Sequence, residues 1–245
     1  MQELQSVNET TEIPSIFYTH VLSSSAAFSH PLRFWSLAHV ILQQALGQLD
    51  PRRLGLTLRL VRCMPPDSEG KVRSLRTSIG LGTPPWHKEM PPRLLGSESL
   101  AGQALSSYRL LTQEGSAEQQ IVVASDRSAC VSTAACPIEQ AHRIAGCLLV
   151  FSVRAGYFNQ ARLALIRNYA NLLALAFEPD EFYDWPQLKL RVMPPGEVQG
   201  RSFAQFHRRV ADVLAASIQR EQLVNVMQAE LQVWSQLEEE FCARS

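Results

Sequence analysis

The chain lacks an excess of either charge: 23 basic and 23 acidic residues leave a formal net charge of zero. That excludes the electrostatic footprint of non-specific nucleic-acid binding, which needs a surplus of Lys and Arg. The densest basic cluster, Arg201, Arg208, Arg209 and Arg220, is spread along a predicted helix and reads as a solvated face. No run approaches the roughly 18 apolar residues that span a bilayer. The Leu- and Ala-rich stretch after Phe158 is interrupted by Arg167 and Asn168. Residues 1–12 are acidic and polar, so no basic region precedes the apolar segment near Ile16–Leu22, and no secretory leader is expected. The five cysteines, Cys63, Cys130, Cys136, Cys147 and Cys242, are odd in number and lack close CxxC spacing. They fit neither a disulfide framework nor a zinc site. The expectation is a cytoplasmic protein with free thiols and neither a nucleic-acid nor a membrane partner.

Catalytic signatures are missing as well. There is no GxSxG elbow, P-loop, HExxH or clustered acid pair. The six histidines, His20, His30, His39, His87, His142 and His207, show no i,i+4 metal spacing. No catalytic residue, metal or cofactor is assigned. What the chain does have is an ordinary globular balance, 46% hydrophobic and 19% charged, over 245 residues. That length holds one large domain or a domain with an appendage.

Residues 1–28 are rich in Ser, Thr and Glu and show little periodicity, although Ile13–His20 is expected to lie along the domain. Ser29-His30-Pro31 reads as a helix start, because proline is tolerated in the first turn. Leu32, Trp35, Ala38, Leu42, Ala45 and Leu49 then recur at helical steps, and Phe34, Leu37 and Ile41 widen the apolar arc. Such a helix should be covered on more than one side, by its own domain and by a partner. After Asp50-Pro51 the period changes to two. Leu54, Leu56, Leu58 and Leu60 alternate with Gly55, Thr57 and Arg59, the pattern of a half-buried strand.

Met64–Lys71 carries hairpin-loop chemistry, and Val72–Leu81 reads as the return strand. In the proline-rich segment 82–96 a regular element is not expected. Ser97 or Ser99 caps a predicted short helix ending near Tyr108. Brief extended pieces follow at Arg109–Thr112 and Gln120–Ala124. Cys130–Ile138 and Ile144–Val153 pair as strands around a turn at Glu139–His142, and Asn159 caps a long helix running to about Glu178. This order predicts an α+β domain built on an antiparallel sheet.

Within that order, Leu100-Ala101-Gly102-Gln103-Ala104, Cys136-Pro137-Ile138, Gly146-Cys147-Leu148-Leu149-Val150 and Phe158 stand at the positions of recurrent GAF-domain motifs. Residues 29–178 resemble a GAF domain, the sensor module of many bacterial regulators. The resemblance implies a GAF-like antiparallel sheet flanked by helices. It also implies a ligand site between the sheet and the loops of residues 81–135. Arg76, Trp86, His87, Tyr108, Asp126, Arg127 and Ser132 are the candidates there: Arg to hold an anionic group, Trp or Tyr to stack on a ring. The equally weighed alternative is that these residues only close the sheet. Free methionine sulfoxide reductases also resemble GAF domains and carry redox cysteines in pocket loops. Cys130 and Cys136 are the comparable thiols here, but their spacing departs from that family's pattern. Bilin-binding relatives use a Cys-His pair, and none occurs here.

Residues 179–200 form a linker whose Phe182, Tyr183 and Trp185 are expected to pack back on the domain. From residue 201 to about Phe241 a single long helical pattern follows, the helical C-terminal extension of residues 201–245. A seven-residue repeat places Phe203, Val210, Ser217, Val224, Leu231 and Glu238 at one site and Phe206, Val213, Arg220, Met227, Trp234 and Phe241 at the other. All but Ser217, Arg220 and Glu238 are apolar, the pattern of a coiled-coil seam. One helix cannot hide that stripe alone. A helical hairpin, packing on the domain or self-association as a homodimer can, and self-association is the leading expectation.

The resulting expectation is a non-catalytic regulatory module that senses a small ligand or partner and signals through helix-mediated self-association. With no kinase, cyclase or DNA-binding segment attached, its output would be carried by a protein partner. The rivals are a ligand-free scaffold subunit of a larger complex and a thiol redox enzyme.

Overall fold

A computed structural model describes residues 12–27, 30–86, 91–115, 131–220 and 223–243. The first helix, α1 (Ser15–Ala27), lies where the sequence offered no periodicity, and it buries only Val21. It packs against α2 (His30–Leu49), which turns Phe34, Leu37, Ile41, Leu42 and Ala45 inward. Leu32 and Trp35, the first two residues of the expected stripe, point outward instead. Asp50 closes α2: its carboxylate accepts the N–H groups of Leu54 at 2.7 Å and Gly55 at 3.2 Å, and the Thr83 hydroxyl also donates to it.

Among the described residues the sheet has seven strands, all antiparallel: β1 (Leu56–Cys63), β2 (Leu75–Gly82), β3 (Leu94–Leu95), β4 (Leu111–Glu114), β5 (Ser132–Gln140), β6 (Arg143–Ser152) and β7 (Tyr183–Asp184). Their order is β3-β2-β1-β6-β5-β4, with β7 added to the start of β6. Two helices follow the caps expected for them. In α3 (Leu100–Ser107) the Ser99 hydroxyl accepts the Gly102 N–H at 3.0 Å, and Tyr108 stops the helix in the left-handed region at φ 57°. In α4 (Gln160–Leu173) the Asn159 side chain accepts the Arg162 N–H at 2.9 Å.

The sheet is covered on both faces. Leu56, Leu58, Leu60, Ala134, Cys136, Leu148 and Val150 pack with α1, α2 and α4. Val61, Cys63, Ala135, Cys147, Leu149 and Phe151 pack with α3 on the opposite face. The half-buried reading of the first strand is therefore corrected. Thr57 and Arg59 are buried at 2% and 4% exposure, because β1 lies centrally between two covering layers, whereas Leu54 lies outside the strand and is exposed.

The linker packs back along residues 72–73, with Lys189 N–H donating to Val72 O at 2.9 Å and Arg191 N–H to Arg73 O at 2.8 Å. Phe182 is buried, while Trp185 stays exposed. The single long tail helix is also corrected. The extension is helical but divided into α5 (Gly196–Phe203), α6 (Phe206–Gln219) and α7 (Val226–Cys242). α6 and α7 pack against each other as a hairpin, which folds the stripe onto itself. Phe206, Val210, Trp234 and Phe241 of the hairpin and Phe203 of α5 are buried in one core, together with Met64 and Leu94 of the domain and Met193 of the linker. Val213, Val224 and Leu231 are half-buried, while Arg220 and Met227 of the predicted seam are exposed. Ala229, Val233 and Leu237 also fill the core in α7, on the four-residue ridge that ends at Phe241.

Glu238 locks the hairpin to the sheet. It is 2% exposed, accepts the Ser74 hydroxyl and pairs with Arg73 at 3.2 Å. Burial pushes its carboxyl above the ordinary value of 4.5, against the pull of Ser74 and Arg73 and with the help of nearby Asp67. A carboxyl raised by folding contributes stability that is fully present below its unfolded value and is lost as pH rises through the folded one. We therefore expect the urea midpoint of Glu238→Gln to gain on that of the unmodified chain as pH is raised from 4.5 towards neutrality. Parallel midpoints at all pH values would contradict this.

Candidate functional site

The sheet face under α3 is where a ligand of this architecture is expected, and the central strands supply its floor. On β1, alternation places Thr57 and Arg59 on this face, and on β6 it places Leu149 and Phe151. The Arg59 guanidinium carbon lies 5.6 Å from the Phe151 ring centroid. Trp86, 8% exposed, lies with its ring 6.4 Å from that of Phe151. Thr57 donates to the Leu81 carbonyl at 3.2 Å. The arrangement is a cation, two aromatic rings and two hydroxyls, Thr57 and Thr133, on a floor of aliphatic side chains. Such a set can hold an anionic or planar group, but here its members pack on one another. The Trp86 indole N–H finds no acceptor among the described residues.

The structure distributes the expected ligand residues unevenly. Trp86 is on this floor, and Tyr108 packs beside it at the end of α3. Burial pushes the Tyr108 phenol up to about 12, with Glu139 adding to the shift. Ser132 begins β5, where its hydroxyl donates to the Arg154 carbonyl at 2.7 Å, and strand alternation turns it to the side of Ala134 and Cys136. Arg76 is a correction. It pairs in register with Arg62 on the helical side of the sheet, opposite Leu94, so it cannot share a site with Trp86. Arg62 stacks on Phe34 at 3.9 Å and forms an ion pair with Glu181. Arg76 is pushed down to about 10, by burial first and then by the nearby Arg62 charge. His87, Asp126, Arg127, Cys130 and the expected strand at Gln120–Ala124 lie outside the described residues.

Sequence reasoning missed Arg59. Its signal was present, an arginine alternating with leucines in an apolar strand, but that pattern reads as a solvated face unless both faces are known to be covered.

The thiols are equally informative. Cys63 and Cys147 are buried on the α3 side, and burial pushes both well above the ordinary thiol value. Cys136 faces the helical layer, where burial pushes it up to about 12. A nucleophilic thiol needs a depressed value and access, and these three have neither. Among the described residues no His, Cys, Asp and Glu side chains group to hold a metal, and no helix is long and apolar enough to cross a membrane.

The two motif glycines explain why their positions resist other residues. A Cβ on Gly102 would meet the Gly96 carbonyl oxygen at 2.0 Å, and one on Gly146 would meet the Val61 carbonyl oxygen at 2.1 Å. The first lets α3 close onto the loop after β3, and the second lets β6 approach β1. With these contacts, an antiparallel sheet lies between a layer of α1, α2 and α4 and the helix α3. The fold is GAF-like. No family model matches the chain, and no curated protein does. Similar solved structures include the GAF domain of an Acinetobacter phosphoenolpyruvate-protein phosphotransferase, at 11% identity and a TM-score of 0.42, covering 67% of this chain and 93% of that one. The GAF domain of a two-component sensor histidine kinase from Bacillus halodurans is similar at 15% identity and a TM-score of 0.40, covering 56% of this chain and 90% of that one. A type II free methionine-R-sulfoxide reductase from Thermoplasma acidophilum is similar at 14% identity and a TM-score of 0.42, covering 58% of this chain and 94% of that one.

Proposed function

We propose that the chain is a non-catalytic GAF-like regulatory module that works by self-association of its outer helices and passes its output to a protein partner. One observation carries this reading: α2 is apolar on two sides. Its inner side fills the core, while Leu32 and Trp35, one turn apart, are exposed, as are Tyr18 and Leu22 on the adjoining α1. A helix with a second apolar side fits burial against another surface. The buried, protonated state of Cys63, Cys136 and Cys147 weighs against thiol catalysis. The packing of Arg59, Trp86 and Phe151 on one another weighs against a large small-molecule site.

Native mass spectrometry of the full chain tests the proposal. The expected result is a homo-oligomer without adduct whose subunit number falls in the Leu32→Ser/Trp35→Ser variant. A monomeric unmodified chain, or an oligomer indifferent to the variant, would overturn it. A ligand reading has one specific support, the Trp86 indole N–H without an acceptor among the described residues. A discrete small-molecule adduct that disappears in Trp86→Phe would establish that reading instead.

A further inference from the structure

A groove of about 420 Å³ runs along the tail hairpin, away from the sheet face described above. Its first wall is α6, which contributes Asp212 and Ala216, continued by the capping residue Arg220, whose N–H donates to the Ala216 carbonyl at 3.2 Å, over a floor that includes half-buried Val213. Its second wall is α7, which contributes the exposed amides Gln232 and Gln236. Asp212, Ala216 and Arg220 follow one another at four-residue intervals and so form one ridge of the helix. At 1.5 Å per residue the two charges stand about 12 Å apart, with a small side chain midway. Both are exposed, and neither forms an ion pair within the chain among the described residues. The neighbouring Arg209 is different: it is already held by Glu240 at 2.5 Å.

A ridge with opposite charges at its ends and a small residue at its centre is its own complement when turned end for end. A two-fold axis at Ala216 sets each Asp212 against Arg220 of the other copy, and the alanine permits close approach of the two helices. The second wall carries no charge that would oppose this. We propose that the groove is an interface between two copies of this chain, paired antiparallel through α6 about Ala216. The charge pairs fix register and orientation, while the half-buried floor supplies the apolar contact. The pairing is independent of the one proposed for α1 and α2.

Site-specific disulfide crosslinking of the full chain tests it. The background carries Cys130→Ser and Cys242→Ser, and the reporter is Ala216→Cys, oxidised with copper phenanthroline. Ala211→Cys, exposed on α6 outside the groove, serves as the control. Covalent dimer is expected at 216 and not at 211. Adding Asp212→Arg should lower the yield about tenfold, by setting like charges against each other, and adding Arg220→Asp to that variant should restore it. No dimer at 216, equal yields at 211 and 216, or a yield indifferent to Asp212→Arg would overturn the proposal. The crosslink reads α6 alone, so it is expected to persist in the Leu32→Ser/Trp35→Ser variant. Failure of either interface is thereby recognised separately.

Discussion

Gly146→Ala is expected to destabilise the domain strongly although it adds a single methyl group. The added Cβ would stand 2.1 Å from the Val61 carbonyl oxygen and 3.1 Å from the Arg62 Cα. Both neighbours are backbone atoms of β1, so no rotamer change can relieve the contact. Relief would require β6 to move away from β1, along a pairing that runs in register from Leu56↔Ser152 to Arg62↔Gly146. Overpacking in a well-packed interior costs about 1–3 kcal/mol when side chains can yield, and occasionally more. With backbone on both sides, we expect a loss at or above the top of that range, read as a lower urea midpoint and thermal midpoint. Gly47, with open space around its Cβ position, is the control and should tolerate alanine with little change. Equal midpoints for the two variants would contradict the close-approach argument.

Phe241→Ala is the second, and its effect should fall on a different part of the chain. Phe241 is fully buried, lies 6.2 Å from the Phe203 ring centroid, and shares its core with Trp234 and Leu237. Truncating a buried phenylalanine to alanine costs about 3–5 kcal/mol. The residues that lose contact belong to the cluster joining the hairpin to Met64, Leu94 and Met193, not to either sheet-face core. We therefore expect α6 and α7 to become sensitive to limited proteolysis and to lose amide protection, while β1, β5 and β6 keep theirs. Phe241→Leu should recover most of the protection. Uniform loss of protection across the sheet would show instead that the hairpin and sheet unfold as one unit.

Those two residues also show what could be read in the sequence. The glycine and cap positions were legible because their chemistry is local: Ser99 and Asn159 each precede an apolar run and supply an oxygen to a helix N–H. The strands were legible wherever period-two alternation met a turn. α1 was not legible, because a helix burying only Val21 displays no stripe. Arg59 and Arg76 exchanged significance for a different reason: the face a strand residue occupies depends on register, and which faces are covered depends on elements far away in sequence. The tail's apolar residues were identified, and most of them are covered by a hairpin packed on the domain, the two alternatives ranked behind self-association. A seven-residue repeat specifies a seam, not whether its other half lies in a second chain or across a turn of the same one.

One contact of the tail bears on how the sheet ends. The Gln199 side chain accepts the Leu94 N–H and donates to the Leu94 carbonyl, each at 2.8 Å. A single amide thus does for β3 what another strand would do, saturating the outermost peptide group and denying it to an incoming extended segment. Without the tail, that border would be an open template for strand addition. The helical extension is therefore also a terminator of sheet growth, and shortening the chain before residue 196 would trade a stable monomeric edge for an adhesive one.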